Sequence, residues 1–203
     1  MKTKILEISV FAALIVCIIS SVSFSKDCND IRNSLLRLHV IASGDTEEEQ
    51  ALKLKVRDTI LKDGADIFSQ NDCLDSATEK VSDNLVRLTE SAKKTIRENG
   101  YTYDVRVELT ECYFPTRVYE NITLPAGKYN AVRVIIGEGK GKNWWCVMFP
   151  PMCLPAAKDN ETQLCDVLGE KSMNIVENGK KYEVRLWILE KWYELRERVA
   201  SSQ

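Results

Sequence analysis

The chain has very little histidine, and this limits the chemistry that it can perform. His39 is the single histidine among 203 residues, and it lies in the middle of an apolar, strand-like segment. A serine or cysteine nucleophile that depends on histidine would have to recruit this one imidazole from a strand interior. We therefore expect His39 to be a buried structural side chain, and we expect the protein not to be an enzyme.

Metal, nucleotide and nucleic-acid signatures are also missing. The sequence has no C-x-x-C pair to join its one histidine in a zinc site. A phosphate-binding loop ending at Gly141-Lys142 would need glycine in place of Ile136 and Ser or Thr in place of Asn143. The formal net charge is −2 and no tract is polybasic, which argues against a nucleic-acid partner. We expect no metal, no cofactor and no small-molecule substrate.

The N-terminus has the composition of an export signal. Two lysines precede an apolar run over residues 8–19, and small serines follow it. This order predicts a secretory signal peptide over residues 1–25. The uncharged stretch is also close to the ~20 residues that a membrane span needs, so an uncleaved anchor remains the alternative. Both interpretations place the remainder, residues 26–203, outside the cytoplasm as a single domain.

Cysteine usage agrees with export. Cys17 lies in the predicted signal, which leaves an even set of six: Cys28, Cys73, Cys112, Cys146, Cys153 and Cys165. An even set in an exported chain favours disulfides, although a chain of this length does not require them. Pro150 and Pro151 can fold the chain back between Cys146 and Cys153. We predict a disulfide between these two cysteines and leave the others open as free or buried.

Two long helices are predicted in the first half of the chain. Thr46 and Glu49 form a capping box for the first helix, which should run to about residue 62 and end at Gly64. Ser76 and Glu79 repeat the capping pattern for the second. Its apolar stripe falls at residues 77, 81, 85, 88, 92 and 96.

The second half of the chain reads mostly as strands. Residues 35–41 form an apolar segment that is typical of a central strand. Residues 156–180 have no clear pattern, and a C-terminal helix should bury residues 188, 192, 195 and 199. The fold class is therefore α+β, in which two long N-terminal helices and one C-terminal helix pack on a mixed or mainly antiparallel sheet. The further strands are predicted over residues 103–110, 117–124, 129–136, 144–149 and 182–188.

The first predicted helix contains an unusual basic pair. Lys53 and Arg57 lie one turn apart, between two apolar stripes. One interpretation is that both stems cover apolar surface while their charged ends reach water. The other is a basic pair in a partner-facing or ion-paired site, with Arg57 as the anchor because guanidinium tolerates burial.

Residues 137–153 are the most distinctive segment of the chain. Glycines at positions 137, 139 and 141 (Gly137, Gly139 and Gly141) allow positive φ and close backbone approach, and a backbone nest for a partner's carboxylate is possible there. Trp144 and Trp145 then open a strand that is apolar on both faces. Such a strand is either a buried central strand or a rim where tryptophans anchor a partner. We predict that the two tryptophans and the glycine loop form part of a partner-binding surface.

Five motifs together carry a family resemblance. They are LHVIASGD (38–45), QALKLKVRD (50–58), FPTRVYEN (114–121), LPAGKYNAV (124–132) and GEGKGKNWWCVMFPPMC (137–153). In this order they closely resemble the stage II sporulation protein R family of endospore-forming Firmicutes. The resemblance implies a signal made in the forespore and exported into the space between forespore and mother cell. Its implied partner is a membrane-bound aspartic protease of the mother cell, which then processes pro-sigma-E.

Two functions of different classes follow from the sequence. The first is an intercellular ligand that activates a partner's protease. The second is an exported hydrolase of cell-wall material, with catalytic acids such as Asp104, Glu108 or Glu111, because paired carboxylates can act without histidine. Turnover of peptidoglycan by the purified protein would distinguish the hydrolase from the ligand.

Overall fold

A mixed four-stranded sheet organises the chain. The computed structural model describes residues 2–68, 73–119, 122–152 and 160–177. The sheet has the strand order β2-β5-β1-β6, where β1 is parallel to β5 and antiparallel to β6, and β2 is antiparallel to β5. Its strands are β1 (Leu36–Ile41), β2 (Val105–Phe114), β5 (Gly127–Ile136) and β6 (Asn143–Phe149). The α+β class and the mixed sheet are thus as predicted.

The helices differ in number from the prediction. The described residues contain five: α1 (Lys2–Asn33), α2 (Glu47–Asp63), α3 (Ala65–Phe68), α4 (Leu74–Glu98) and α5 (Asn160–Glu177). The two long predicted helices correspond to α2 and α4. Helix α5 was not predicted, because it lies in the stretch over residues 156–180 where the sequence has no clear apolar pattern. It contains non-helical φ/ψ at Gly169. The predicted strand over 182–188 and the C-terminal helix lie outside the described residues.

The N-terminal helix continues beyond the predicted signal. Its side chains between Lys4 and Lys26 that the structure describes are exposed, whereas Cys28 and Ile31 are buried in the domain. Its segment Glu7–Asn33 is long and apolar enough to cross a membrane. The predicted signal or anchor is therefore the first part of α1, and the last two turns belong to the core.

The two predicted capping boxes have different outcomes. At α2, the Glu49 amide donates to Thr46 Oγ1 at 3.3 Å and the Thr46 amide donates to Glu49 Oε2 at 3.2 Å, so this box is confirmed. At α4 the prediction is wrong. Helix α4 begins at Leu74 with Cys73 as its N-cap residue, so Ser76 lies inside the first turn. The apolar stripe of α4 is nevertheless buried as predicted.

The segment predicted as one strand over 117–124 is a hairpin. Strand β3 (Arg117–Tyr119) pairs antiparallel with β4 (Ile122–Leu124) in a separate two-stranded sheet. Because Tyr119 pairs with Ile122, the chain must reverse between these two residues.

The sheet buries both of its faces. Helices α2 and α4 cover the first face, where Leu36, Leu38 and Val40 of β1 point. The end of α1, helix α5 and the β3–β4 hairpin cover the second face, with Phe114, Tyr129 and Val147 in its core. All six residues of β1 are buried, which confirms it as the central strand. Its burial on both sides explains why its sequence is almost continuously apolar.

Candidate partner-binding site

The glycine loop, residues 137–142 between β5 and β6, is fixed against the turn that follows β1. The Gly141 amide donates to the Ala42 carbonyl at 2.9 Å, and the Lys140 amide donates to the Ser43 carbonyl at 3.3 Å. At the start of the loop, the Gly137 amide donates to the Asp104 carbonyl at 2.8 Å. The first two bonds join segments nearly one hundred residues apart, and the third joins the loop to the residue before β2.

Each of the three glycines is needed for a local steric reason. Gly137 and Gly139 have φ of 57° and 64°, the left-handed region that most side chains avoid. A Cβ on Gly141 would collide with the Gly44 carbonyl oxygen and lie 2.8 Å from the Ala42 Cβ. The prediction of positive φ and close approach is therefore confirmed, and the approach is to the chain's own 42–45 turn.

The predicted anion nest holds a carboxylate of the same chain. The Lys142 amide donates to Asp45 Oδ1 at 2.7 Å. Gln50 reinforces the turn because its Nε2 donates to the Gly44 carbonyl at 2.8 Å. A carboxylate of the 42–45 turn, that of Asp45, thus accepts from the loop, and the binding of a partner's carboxylate there stays a prediction.

Lys53 supports this loop from inside. Its side chain is only 5% exposed, and its Nζ donates to the Lys142 carbonyl at 2.9 Å and to Gln50 Oε1 at 2.6 Å. Burial lowers the pKa of the Lys53 ammonium, and the nearby Asp45 carboxylate opposes that shift. The structure therefore shows neither a solvated charge nor a direct ion pair at Lys53. Its ammonium acts as a hydrogen-bond donor that ties α2 to the loop.

Arg57 and Trp144 meet at the surface above the first face. The Arg57 guanidinium carbon lies 4.8 Å from the centroid of the Trp144 ring, a cation–π arrangement. Arg57 Nη2 also pairs with Asp58 Oδ1 at 2.6 Å, and its side chain is 22% exposed. Trp144 is half-buried, with part of its ring packed on the core of the first face. Two of the residues predicted for the site therefore form one half-exposed aromatic and cationic feature.

Trp145 lies on the opposite face of β6. Its ring stacks on His39 with centroids 5.7 Å apart, and the Arg117 guanidinium carbon lies 3.9 Å from the Trp145 ring centroid. Within the part of the chain that the structure describes, β6 is at the end of the sheet order, and both tryptophans are half-buried. The rim position that the proline pair indicated is confirmed there, while the partner-binding role of the tryptophans stays a prediction.

Phe149 departs from the simple alternation. Alternation places it with Trp145 and Val147, but it packs on the first face with Met148. The reason is a register shift, since Leu36 pairs with Phe149 whereas Arg37 pairs with Val147. One residue of β6 is thereby skipped in the pairing.

His39 has the structural role that its strand position predicted. It is buried, and its Nε2 lies 2.9 Å from Asn143 Oδ1 at the end of the glycine loop. Its Nδ1 lies 3.9 Å from the Cys112 sulfur. Burial lowers the pKa of the imidazole to about 4, so His39 is neutral near pH 7.

Arg37 is an important residue that the sequence analysis missed. It is completely buried on the second face, where its Nε donates to the Cys146 carbonyl at 2.9 Å and its Nη2 donates to Tyr119 Oη at 2.6 Å. The available signal was the interruption of an apolar strand by Arg37 and His39, two positions apart and hence on one face.

Two of the three acids of the hydrolase hypothesis, Glu108 and Glu111, are paired with basic side chains. Glu108 pairs with Arg133 at 3.3 Å and with Arg106 at 3.5 Å, and Glu111 pairs with Lys128 at 3.5 Å. These are cross-strand and same-strand ion pairs on the surface of β2 and β5, and they do not join one carboxylate to another. In residues 2–68, 73–119, 122–152 and 160–177, no group of His, Cys, Asp and Glu side chains is placed to hold a metal ion.

The structure does not describe both cysteines of the predicted disulfide. Cys146 is buried on β6, whereas Cys153 lies outside the described residues. The pairing of these two cysteines therefore stays a prediction. Cys28 and Cys73, which were left open, are free cysteines, the first buried and the second exposed.

Comparison with known proteins identifies the family. The family described as stage II sporulation protein R matches residues 32–159, which include β1, the glycine loop and β6. Stage II sporulation protein R of Bacillus subtilis (strain 168) is 32% identical over 123 residues, covering 61% of this chain and 55% of that protein. The chain thus matches about half the length of this curated relative. No solved structure matches the fold. The chain belongs to the stage II sporulation protein R family.

Proposed function

We propose that this protein is an exported signal of sporulation that activates a membrane-bound aspartic protease of the mother cell, which then processes pro-sigma-E. The observation that carries the proposal is the family match over residues 32–159, which supports a signalling role in sporulation. The exposed apolar part of α1 supports export, because it fits a signal sequence or an anchor. The protein would act in the space between forespore and mother cell.

We propose further that the partner is contacted by the loop–tryptophan surface, which comprises residues 137–144 and Arg57. The hydrogen bonds to the 42–45 turn fix the shape of this surface before a partner arrives, so little conformational entropy is lost on binding. Arg57 and Trp144 supply a cation and an aromatic ring at one half-exposed point. Arginine and tryptophan are the residues that most often anchor protein interfaces.

The test is a reconstitution in which the chain, the protease and pro-sigma-E are produced together in a host that lacks all three. The proposed function predicts processing of pro-sigma-E only when the chain is present. Arg57→Gln keeps part of the stem and a polar N–H group but removes the charge, and it should reduce processing about tenfold or more. Trp144→Phe should reduce it to a lesser extent because an aromatic ring remains.

The matched control is Arg106→Gln, which removes an exposed arginine from the opposite end of the sheet order. It should leave processing within about twofold of the unaltered chain. Melting temperatures of the three variants separate loss of contact from loss of fold. Absence of processing with the unaltered chain would refute the proposed function. Full processing with both surface variants would refute only the proposed surface.

The hydrolase hypothesis receives less support. Glu108 and Glu111 each have basic neighbours in ion pairs, an arrangement that stabilises a sheet surface. A retaining or inverting glycosidase instead needs two carboxylates facing one another across the substrate bond. Incubation of the purified chain with peptidoglycan provides the check, and release of soluble fragments would favour the hydrolase.

A further inference from the structure

Arg37 is a buried cation in an aromatic cage. Its guanidinium carbon lies 4.3 Å from the ring centroid of Phe114, 4.8 Å from that of Tyr129 and 5.6 Å from that of Tyr119. Its side chain is 0% exposed. Cation–π contacts of this kind stabilise a desolvated cation by less than the burial of an ion costs. The cage alone therefore does not offset the burial of the charge.

The guanidinium is also incompletely satisfied. Its Nε and Nη2 donate to Cys146 and Tyr119, but its Nη1 has no hydrogen-bond partner among the described residues. No ion pair joins Arg37 to a carboxylate in that part of the chain. Burial raises the pKa of both Tyr119 and Tyr129, so neither phenol supplies a negative charge near pH 7. Among the residues that the structure describes, Arg37 thus has no counter-ion, and its Nη1 has no acceptor.

A second unsatisfied donor lies on the same sheet face. Trp145 Nε1 is buried and has no hydrogen-bond acceptor within the described ranges. Tyr119 connects the two residues, because its hydroxyl accepts from Arg37 and donates to the Trp145 carbonyl at 3.3 Å. Two buried N–H donors that lack an acceptor within the described ranges are groups that an anion could accept from.

Three residues on this side of the sheet are only partly buried. Arg117, Tyr119 and Trp145 each retain some exposure. Arg117 also stacks on the Trp145 ring at 3.9 Å, which adds a second positive charge on this side. The half-exposed edge beside Arg37 is therefore cationic and aromatic.

We propose that Arg37 anchors a binding site for a carboxylate side chain of a partner protein, which enters past Tyr119 and Trp145. A planar guanidinium matches a carboxylate in geometry and charge, and it supplies the donor that Nη1 leaves unused. The aromatic side chains of Tyr119 and Trp145 favour an acidic side chain on a polypeptide over a free ion, because they offer apolar contact beside the charge. This site is separate from the loop–tryptophan surface and does not depend on the proposed function.

The test uses the full chain in detergent micelles, labelled with 15N, and follows the indole N–H signal of Trp145. Trp145→Phe assigns that signal, because the chain has four tryptophans. The probes are the blocked amino acids N-acetyl-glutamate amide and N-acetyl-glutamine amide, which differ in the charged carboxylate. We expect a saturable shift with the glutamate compound and about tenfold or more weaker binding of the glutamine compound.

Two variants complete the design. Arg37→Gln should abolish the response to the glutamate compound, and Arg106→Gln, the exposed control, should retain it. Equal responses to the two compounds, no saturable shift, or an unchanged shift in Arg37→Gln would each overturn the proposal. If acetate alone binds as tightly as the glutamate compound, a free carboxylate is the ligand and the assignment to a protein side chain is wrong. Should Arg37→Gln fail to fold, the comparison of the two compounds on the unaltered protein still decides.

Discussion

Replacement of His39 by glutamine should make the stability of the protein less sensitive to acid. The imidazole is buried between the Phe114 and Trp145 rings, and its pKa is lowered to about 4 from an ordinary value of 6.5. Burial is the main cause, and the charges of Arg37 and Arg133 act in the same direction. The folded state therefore resists protonation at pH values where the unfolded chain accepts a proton.

The magnitude follows from the two pKa values. Because the folded pKa is below the unfolded one, the unfolded chain binds more protons between about pH 6.5 and pH 4, and stability falls as the pH is lowered through that window. One pKa unit corresponds to about 1.36 kcal/mol, so a shift of ~2.5 units costs about 3 kcal/mol once the pH is below the folded value. Above about pH 6.5 this contribution to stability is fully present.

The assay is urea unfolding of the unaltered chain and of His39→Gln, at about pH 7.5 and about pH 4.5. Carboxylates that titrate in both proteins cancel in the comparison. The unaltered chain should lose about 2–3 kcal/mol more than the variant between these two values. Equal losses would refute the reasoning, because they would mean that His39 is protonated as easily in the folded state as in the unfolded one. A lower starting stability of the variant does not affect the result, since only the difference between pH values is compared.

Three further predictions concern the loop, the disulfide and export. Gly141→Ala should lower the free energy of unfolding by ~1–3 kcal/mol, because its Cβ would displace the 42–45 turn. The control Glu138→Ala, an exposed change in the same loop, should change the free energy of unfolding by no more than ~0.5 kcal/mol. Equal urea midpoints for the two variants would contradict this prediction. Mass spectrometry of the non-reduced protein should find Cys146 linked to Cys153, and complete alkylation of both thiols without reductant would exclude the bond. Deletion of residues 1–25 should preserve the far-UV spectrum of the domain but abolish processing of pro-sigma-E, and full processing by the truncated chain would contradict export.

The sequence was sufficient where a pattern depends on local physics. The Thr46–Glu49 box and the spacing of apolar residues in α4 located both long helices, because capping and amphipathicity are properties of neighbouring residues. The continuous apolar run of β1 indicated a central strand for the same reason. The glycine loop was recognised because three glycines alternate with charged residues, a pattern that neither a helix nor a strand requires.

Long-range geometry could not be read from the same patterns. The partner of the glycine loop is the 42–45 turn, and only the pairing of β1 with β6 brings the two segments together. The face on which Phe149 lies depends on a register shift that no sequence pattern in β6 predicts. Arg37 was overlooked because its role depends on contacts with the rings of Phe114, Tyr119 and Tyr129. These residues follow some eighty to ninety positions later in the sequence.

The structure separates residues that shape the loop–tryptophan surface from residues that can contact a partner there. Gly137, Gly141 and Lys53 make their contacts within the chain, so their substitution should act through the conformation of the loop and should change stability together with signalling. Arg57 and Trp144 keep part of their surface in solvent, so conservative changes at these two positions should alter signalling with a smaller effect on stability. The ratio of the two effects, measured position by position, therefore distinguishes a scaffold from a contact. A uniform ratio across all five positions would mean that the whole loop acts through folding alone.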